Sequence, residues 1–261
     1  MSIDFVILTA LQVERTAVCG ALGFTDEHSV PQGVRNYWRG RLELPGGGAY
    51  EIAVAQALDM ASVDAALLAN DAFHHWNPQG ALFVGIAGSA DPSVKPGDVV
   101  AASEVHYFER GKAVPGGKRP EPKIVNADAR LLGRCQAISW SGSVPVEPPE
   151  STERPPRVHC GVIASVEKVI GDEDAKREIL AGNRKVLAIE MEGYGFSRAA
   201  WQSDERVRHL VIRAISDAAD ALKSDAWHAH AAASAAAFAK HLLLARPLEP
   251  RPSGSTSALP P

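Results

Sequence analysis

Seven short apolar runs recur along the chain with helix-like stretches between them, and this alternation constrains the fold more than any other feature of the sequence. The runs FVILTA, EIAVAQ, ALFVGIAG, GDVVAASEV, VHCGVIAS, KVLAIEME and HLVIRAIS read as buried strands. Between them lie helix-like segments at Val13 to Leu22, Val63 to His75 and His228 to Leu244. The last of these, AHAAASAAAFAKHLLLA, is helical by propensity alone. Strands alternating with helices predict an α/β fold in which helices cover both faces of a central sheet, a three-layer αβα arrangement.

At 261 residues and 46% hydrophobic, the chain can bury one large core, and a single domain over residues 1–245 is expected. Proline, glycine and charge mark AVPGGKRPEPK (113–123) and SVPVEPPESTERPP (143–156) as surface loops. Residues 246–261 have a similar composition and are expected to be a disordered tail. No apolar run approaches the roughly 20 residues that span a bilayer, and the N-terminus enters a strand-like run without a basic leader, so no membrane association and a cytoplasmic location are expected. A net charge of −4 offers no basic footprint for nucleic acid. The three cysteines, Cys19, Cys135 and Cys160, form no CxxC pair and read as reduced packing residues. His228 and His230 stand two apart before a helix, poor spacing for two ligands on one face, so neither metal nor cofactor is assigned.

Chemistry concentrates at four distant places. In TALQVERTAV, Glu14 follows the first strand at the start of a helix, where its ordinary role is to complement the helix dipole. In VGIAGSADPSVKPGDVV, Gly85 and Gly88 follow an apolar run, either as a tight turn or to let the backbone approach a ligand. In AIEMEGYG, Glu190 and Glu192 stand two apart, on one face of a strand that would otherwise be apolar. In RAISDAAD, Arg213, Asp217 and Asp220 close a strand at the end where open α/β sheets bind ligands, although Asp217 could equally cap a following helix.

Taken together, AIEMEG, VIRAISDAAD and the pair GIAGSA and KPGDVV make the chain resemble the purine and uridine phosphorylase superfamily from about Phe5 to Leu244. Within it the chain resembles the nucleosidases that cleave methylthioadenosine and adenosylhomocysteine. Its C-terminal run and ILTALQVERTAV are also similar to the nucleoside phosphorylase-like domains attached to bacterial and fungal effector and immune proteins, some of which are ATP nucleosidases. No such attached domain is expected here. The resemblance implies a nucleoside phosphorylase-like fold with a central mixed β-sheet, and a homodimer or larger homo-oligomer in which a neighbour completes the pocket.

The resemblance also assigns roles. Cleaving a purine–ribose bond develops oxocarbenium character in the sugar and needs a protonated leaving base. Asp217 matches the family's general acid, Glu192 its ribose-binding glutamate, Met191 the methionine on the sugar, and Glu14 the nucleosidases' water-activating glutamate. Arg213 matches an arginine near the attacked face. Gly88, Ile86, Val169 and Ile170 fall at substrate-binding positions, with two departures: Ile86 replaces a serine, and Val169 replaces the aromatic residue that stacks on adenine. Leu11 and Gln12 stand where phosphorylases hold phosphate, which favours water as nucleophile. A phosphate-bearing substrate could be reached by Lys168, or by Lys112, Lys118 and Arg119 of the basic loop. The expected activity is therefore hydrolysis of the N-glycosidic bond of a purine nucleoside or nucleotide, a small molecule; the alternatives are a phosphorylase and an inactive nucleotide-binding sensor.

Overall fold

The computed structural model describes residues 3–115, 117–203, 206–219 and 225–252, and of residues 113, 114, 117 and 118 the backbone alone. In chain order the elements are β1 (Phe5–Thr9), α1 (Gln12–Leu22), β2 (Ser29–Gln32), β3 (Arg35–Glu43), β4 (Ala49–Gln56), α2 (Ser62–Trp76), β5 (Gly80–Ser89), β6 (Val99–Tyr107) and β7 (Gly111–Val114). There follow β8 (Gly117–Pro120), β9 (Lys123–Asn126), α3 (Ala129–Ala137), β10 (Val158–Ser165), α4 (Glu173–Gly182), β11 (Val186–Glu190), α5 (Gly193–Gln202), β12 (Arg208–Asp217) and α6 (His228–Leu244). The seven apolar runs are β1, β4, β5, β6, β10, β11 and β12, and the three helix-like segments are α1, α2 and α6.

The main sheet is mixed and runs β11-β10-β6-β12-β5-β1-β4-β3-β2, with β9 added on β6. Strand β1 is parallel to β4 and β5, and β12 is parallel to β5 but antiparallel to β6. One half of the sheet curls on itself, because β11 pairs antiparallel with β5 through Ala188↔Ser89 and Ile189↔Gly88. That closure brings the C-terminal tips of β11 and β5 together.

Strand alternation decides which layer each side chain joins. Phe5 and Ile7 pack with Val18 of α1, Leu131 of α3 and Leu242 of α6, whereas Val6 and Leu8 pack with Leu68 of α2 and Phe196 of α5. Helix α6 is buried along most of its circumference, as its near-continuous apolar sequence requires. Among the described residues no helix is long and apolar enough to cross a membrane.

Two expectations change, and the loop expected at 143–156 is present. The stretch 113–123 is not a plain loop, because β7 and β8 pair as a hairpin from Gly111↔Pro120 to Val114↔Gly117. The 143–156 segment lacks regular structure but is pinned at its end. Asp98 of KPGDVV, fully buried, accepts two hydrogen bonds of 2.7 Å from the Arg154 guanidinium and one of 2.8 Å from the Arg157 N–H. Disorder does not begin at Arg246. Leu248 is buried, the Tyr50 hydroxyl donates to its carbonyl, and the Arg251 N–H donates to Asp4 at 2.8 Å. Residues 253–261 lie outside the described residues.

Helices α2 and α5 meet at Gly195, where a Cβ would lie 1.8 Å from the Ser62 carbonyl oxygen. A methyl group there must separate the helices, so Gly195→Ala is expected to cost about 1–3 kcal/mol. Urea denaturation of wild type and variant measures it, and an unchanged midpoint would show that the contact is loose.

Candidate active site

The C-terminal tips of β1, β5, β10, β11 and β12 surround a cavity of about 430 Å³. Its wall includes Glu14, Ile86, Gly88, Val169, Ile170, Met191, Glu192 and Asp217, so segments far apart in sequence converge there. Arg213 does not line it.

Arg213 lies behind the wall, wholly buried on β12. Its Nη2 donates to Glu190 Oε2 at 2.5 Å and to Glu192 Oε2 at 2.9 Å, while its Nη1 stands 3.8 Å from Glu14 Oε1. The guanidinium also covers the Phe83 ring at 4.9 Å. Arg213 sits opposite Gly85 in the β12–β5 register, and a Cβ at Gly85 would come within 2.1 Å of Arg213 Nη1 and 2.4 Å of Glu14 Oε1. Gly85 is therefore neither a turn nor a ligand contact. It makes room for the ion cluster.

Glu190 and Glu192 do not share a strand face as expected. β11 ends at Glu190, and Glu192 already has helical torsions as the N-cap of α5. The chain turns because Glu190 Oε2 accepts the N–H groups of Glu192 and Gly193, at 3.0 and 2.7 Å, so one carboxylate both starts α5 and binds Arg213. Glu192 Oε1 accepts the Ala61 N–H at 2.9 Å. Ala61 has φ 78° and ψ 174°, a region that is strained for any residue but glycine. Burial pushes the Glu192 carboxyl up to about 7; Arg213 pulls it down and Glu190 pushes it further up.

Glu14 fills the structural and the site position at once. Its Oε2 accepts the N–H groups of Ala10 and Leu11 at 2.9 and 2.8 Å, closing the start of α1. Its Oε1 accepts the Ile86 N–H at 2.9 Å. Burial raises its pKa against the opposing pull of Arg213 and these N–H groups. Because Ile86 contributes through its backbone, replacing serine there leaves this contact intact.

Asp217 stands at the end of β12, immediately past a register shift between Ile215 and Asp217. Such bulges re-aim side chains beside active sites. Its Oδ2 accepts the Ser216 hydroxyl and its Oδ1 the Ala219 N–H, both at 2.8 Å. Gly88 allows this approach, since a Cβ there would lie 2.7 Å from that of Ala219. Asp220 lies outside the described residues.

Val169 is exposed at the cavity rim and Ile170 is buried in its wall. Lys168 lines the cavity, as do Asp225 and His228, 3.3 Å apart; the sequence raised His228 only as a metal ligand and did not single out Asp225. Lys112 and Arg119 sit on the β7–β8 hairpin and are not in the wall, and the side chain of residue 118 lies outside the described residues. Met60 and Ala61 had no signal in the sequence, because only the folded β4–α2 turn carries them to Glu192.

The family model for the phosphorylase superfamily matches residues 4–245. An ATP nucleosidase, Cap17, of Escherichia coli is 29% identical over 256 residues, covering 88% of this chain and 49% of the relative. The chain thus spans about half the length of that relative. A 5′-methylthioadenosine/S-adenosylhomocysteine nucleosidase of an Exiguobacterium species is 30% identical over 156 residues, 56% of this chain and 58% of its own. The structure of an S-adenosylhomocysteine nucleosidase from Streptococcus pyogenes superposes with a TM-score of 0.74 at 21% identity, covering 95% of this chain and 98% of that one. With the family model spanning nearly all of the folded region, this chain belongs to the phosphorylase superfamily.

Proposed function

We propose that this chain hydrolyses the N-glycosidic bond of a purine nucleoside or nucleotide, releasing free base. The observation that carries the reading is the convergence of Glu14, Glu192 and Asp217 on one cavity, each in a different hydrogen-bonding environment. A carboxylate has about four acceptor positions. Glu192 uses one on Ala61 and one on Arg213, leaving two for ribose hydroxyls, with Met191 against the sugar. Glu14 uses three on backbone N–H groups, leaving one for a water molecule. Asp217 protonates the leaving base, and Arg213 acts through the glutamates it holds.

Water rather than phosphate fits the side of the cavity built from Ala10, Leu11, Glu14 and Ile86, which brings no cation to the wall. The nucleotide option rests on Lys168 in the wall, and the similarity to an ATP nucleosidase makes a triphosphate the first nucleotide to try. A homodimer belongs to the same reading. Leu58, Val63 and Leu67 are 72%, 68% and 54% exposed next to Met60 of the cavity rim, and a second copy would cover them. A cytoplasmic setting suits the three free cysteines.

Incubation with adenosine, methylthioadenosine, inosine, AMP or ATP, without phosphate, is expected to release free base detectable by chromatography. Asp217→Asn is expected to lower kcat by 10²–10⁴-fold, as loss of a general acid does, with an unchanged melting temperature. More than about a tenth of wild-type kcat would remove Asp217 from that role.

The raised Glu192 also has a sign in stability. Its folded pKa of about 7 exceeds the ordinary value of 4.5, so the stabilisation is fully present below 4.5 and is lost as pH rises through 7. Thermal denaturation is expected to show the fold weakening by on the order of 1 kcal/mol between pH 6 and 8. Glu192→Gln should flatten that dependence. His209, held down to about 4 by burial from its ordinary 6.5, acts in the opposite direction and offsets part of this loss, so the Glu192 contribution is read as the difference between wild type and Glu192→Gln.

A further inference from the structure

We propose that the chain carries a second binding site, for a phosphate-bearing anion, beside α5 and outside the catalytic cavity. A hollow of about 320 Å³ is lined by Arg110, Lys123, Ile124, Val125, Tyr194 and Arg198. It shares no residue with the catalytic wall. Tyr194 and Arg198 are one turn apart on α5 and so share a face; Lys123 comes from β9, and Arg110 from the segment between β6 and β7.

Among the described residues three cations converge on this hollow and no carboxylate lines it. Glu109, next to Arg110, instead accepts the Glu167 N–H at 3.2 Å. Among the described residues no ion pair reaches Arg110, Lys123 or Arg198. The guanidinium of Arg198 is held over the Trp201 ring at 4.5 Å. Like charges gathered in this way repel one another until an anion enters. In a chain of net charge −4 the grouping is not a by-product of general basicity.

A partition separates the hollow from the catalytic cavity. The Tyr194 ring stacks on Tyr107 at 4.1 Å, the Tyr107 hydroxyl bonds to Glu167, and Glu167 accepts the Ser62 N–H at 3.3 Å. Stacking fixes the Tyr194 ring and leaves its hydroxyl able to donate a hydrogen bond. The volume lies at the lower end of small-molecule sites and suits a chain of two or three phosphates. A small concave hollow, rather than an extended basic stripe, favours such a compact anion over nucleic acid.

Calorimetric titration of inorganic tripolyphosphate into the intact chain tests this. Saturable binding that weakens as salt is raised is expected, and Lys123→Ala/Arg198→Ala should weaken it at least tenfold without lowering the melting temperature. Should the double variant fail to fold, Arg110→Gln is expected to show the same direction of loss. Excess adenosine, uncharged and directed at the catalytic cavity, should not displace the anion. Absence of saturable binding, unchanged affinity in the folded variants, displacement by adenosine or loss of binding in Lys168→Ala would each overturn the proposal.

Discussion

Arg213 is wholly excluded from solvent, and its charge is answered by glutamates from the start of α1, the end of β11 and the start of α5. Removing one partner of a buried ion pair is strongly destabilising, about 3–5 kcal/mol, because the remaining charge stays buried. The surrounding geometry follows from that constraint. Strand β5 must carry glycine at position 85 for the guanidinium to reach across it. Glu190 must begin α5 while holding the cation, and Glu192 must be held from its other side by the strained Ala61. The three glutamates that line the cavity are thus gathered by one residue that does not.

The central strands were readable because a strand covered on both faces is a short continuous apolar run, as FVILT of β1 is, with all five residues buried; which of Phe5 and Ile7 or Val6 and Leu8 joins which layer was not readable. Strand β3, RNYWRGRLE, escaped because it lies toward the sheet edge, where charged residues, from the buried Arg35 to the exposed Arg41, break the apolar run. The convergence of Glu14, Glu192 and Asp217 came from resemblance, since nothing in their separate neighbourhoods says that they share a cavity. Position Glu190 was suspicious for the right reason, a carboxylate in an apolar strand, but its role as cap and counter-ion depends on where the strand stops. Backbone torsions decide that point, and alternation alone does not carry them.

Weighing a structural role against a chemical one proves to be the wrong opposition at Glu14 and Asp217. Glu14 caps α1 with one oxygen and turns the other toward the cavity. Asp217 is held by Ser216 and the Ala219 backbone as a turn-stabilising aspartate would be. A side chain fixed by local hydrogen bonds loses little further freedom when a substrate arrives, so the structural contacts are the source of preorganisation.

Three carboxylates around one guanidinium cannot all be ionised without leaving excess negative charge in a buried space. Burial raises Glu14 and lifts Glu192 to about 7, and at Glu192 the neighbouring Glu190 and Glu14 add to the rise. On the proposed reading, substrate binding would change this balance, because a sugar with oxocarbenium character is itself a cation and would stabilise the ionised glutamates it faces. On that reading the charge that is unfavourable in the empty cavity would be favourable in the transition state, where interactions that strengthen with developing charge lower the barrier. Asp217 ends the same strand four residues beyond Arg213, held by Ser216 and the Ala219 backbone, whereas the glutamates are held by the guanidinium.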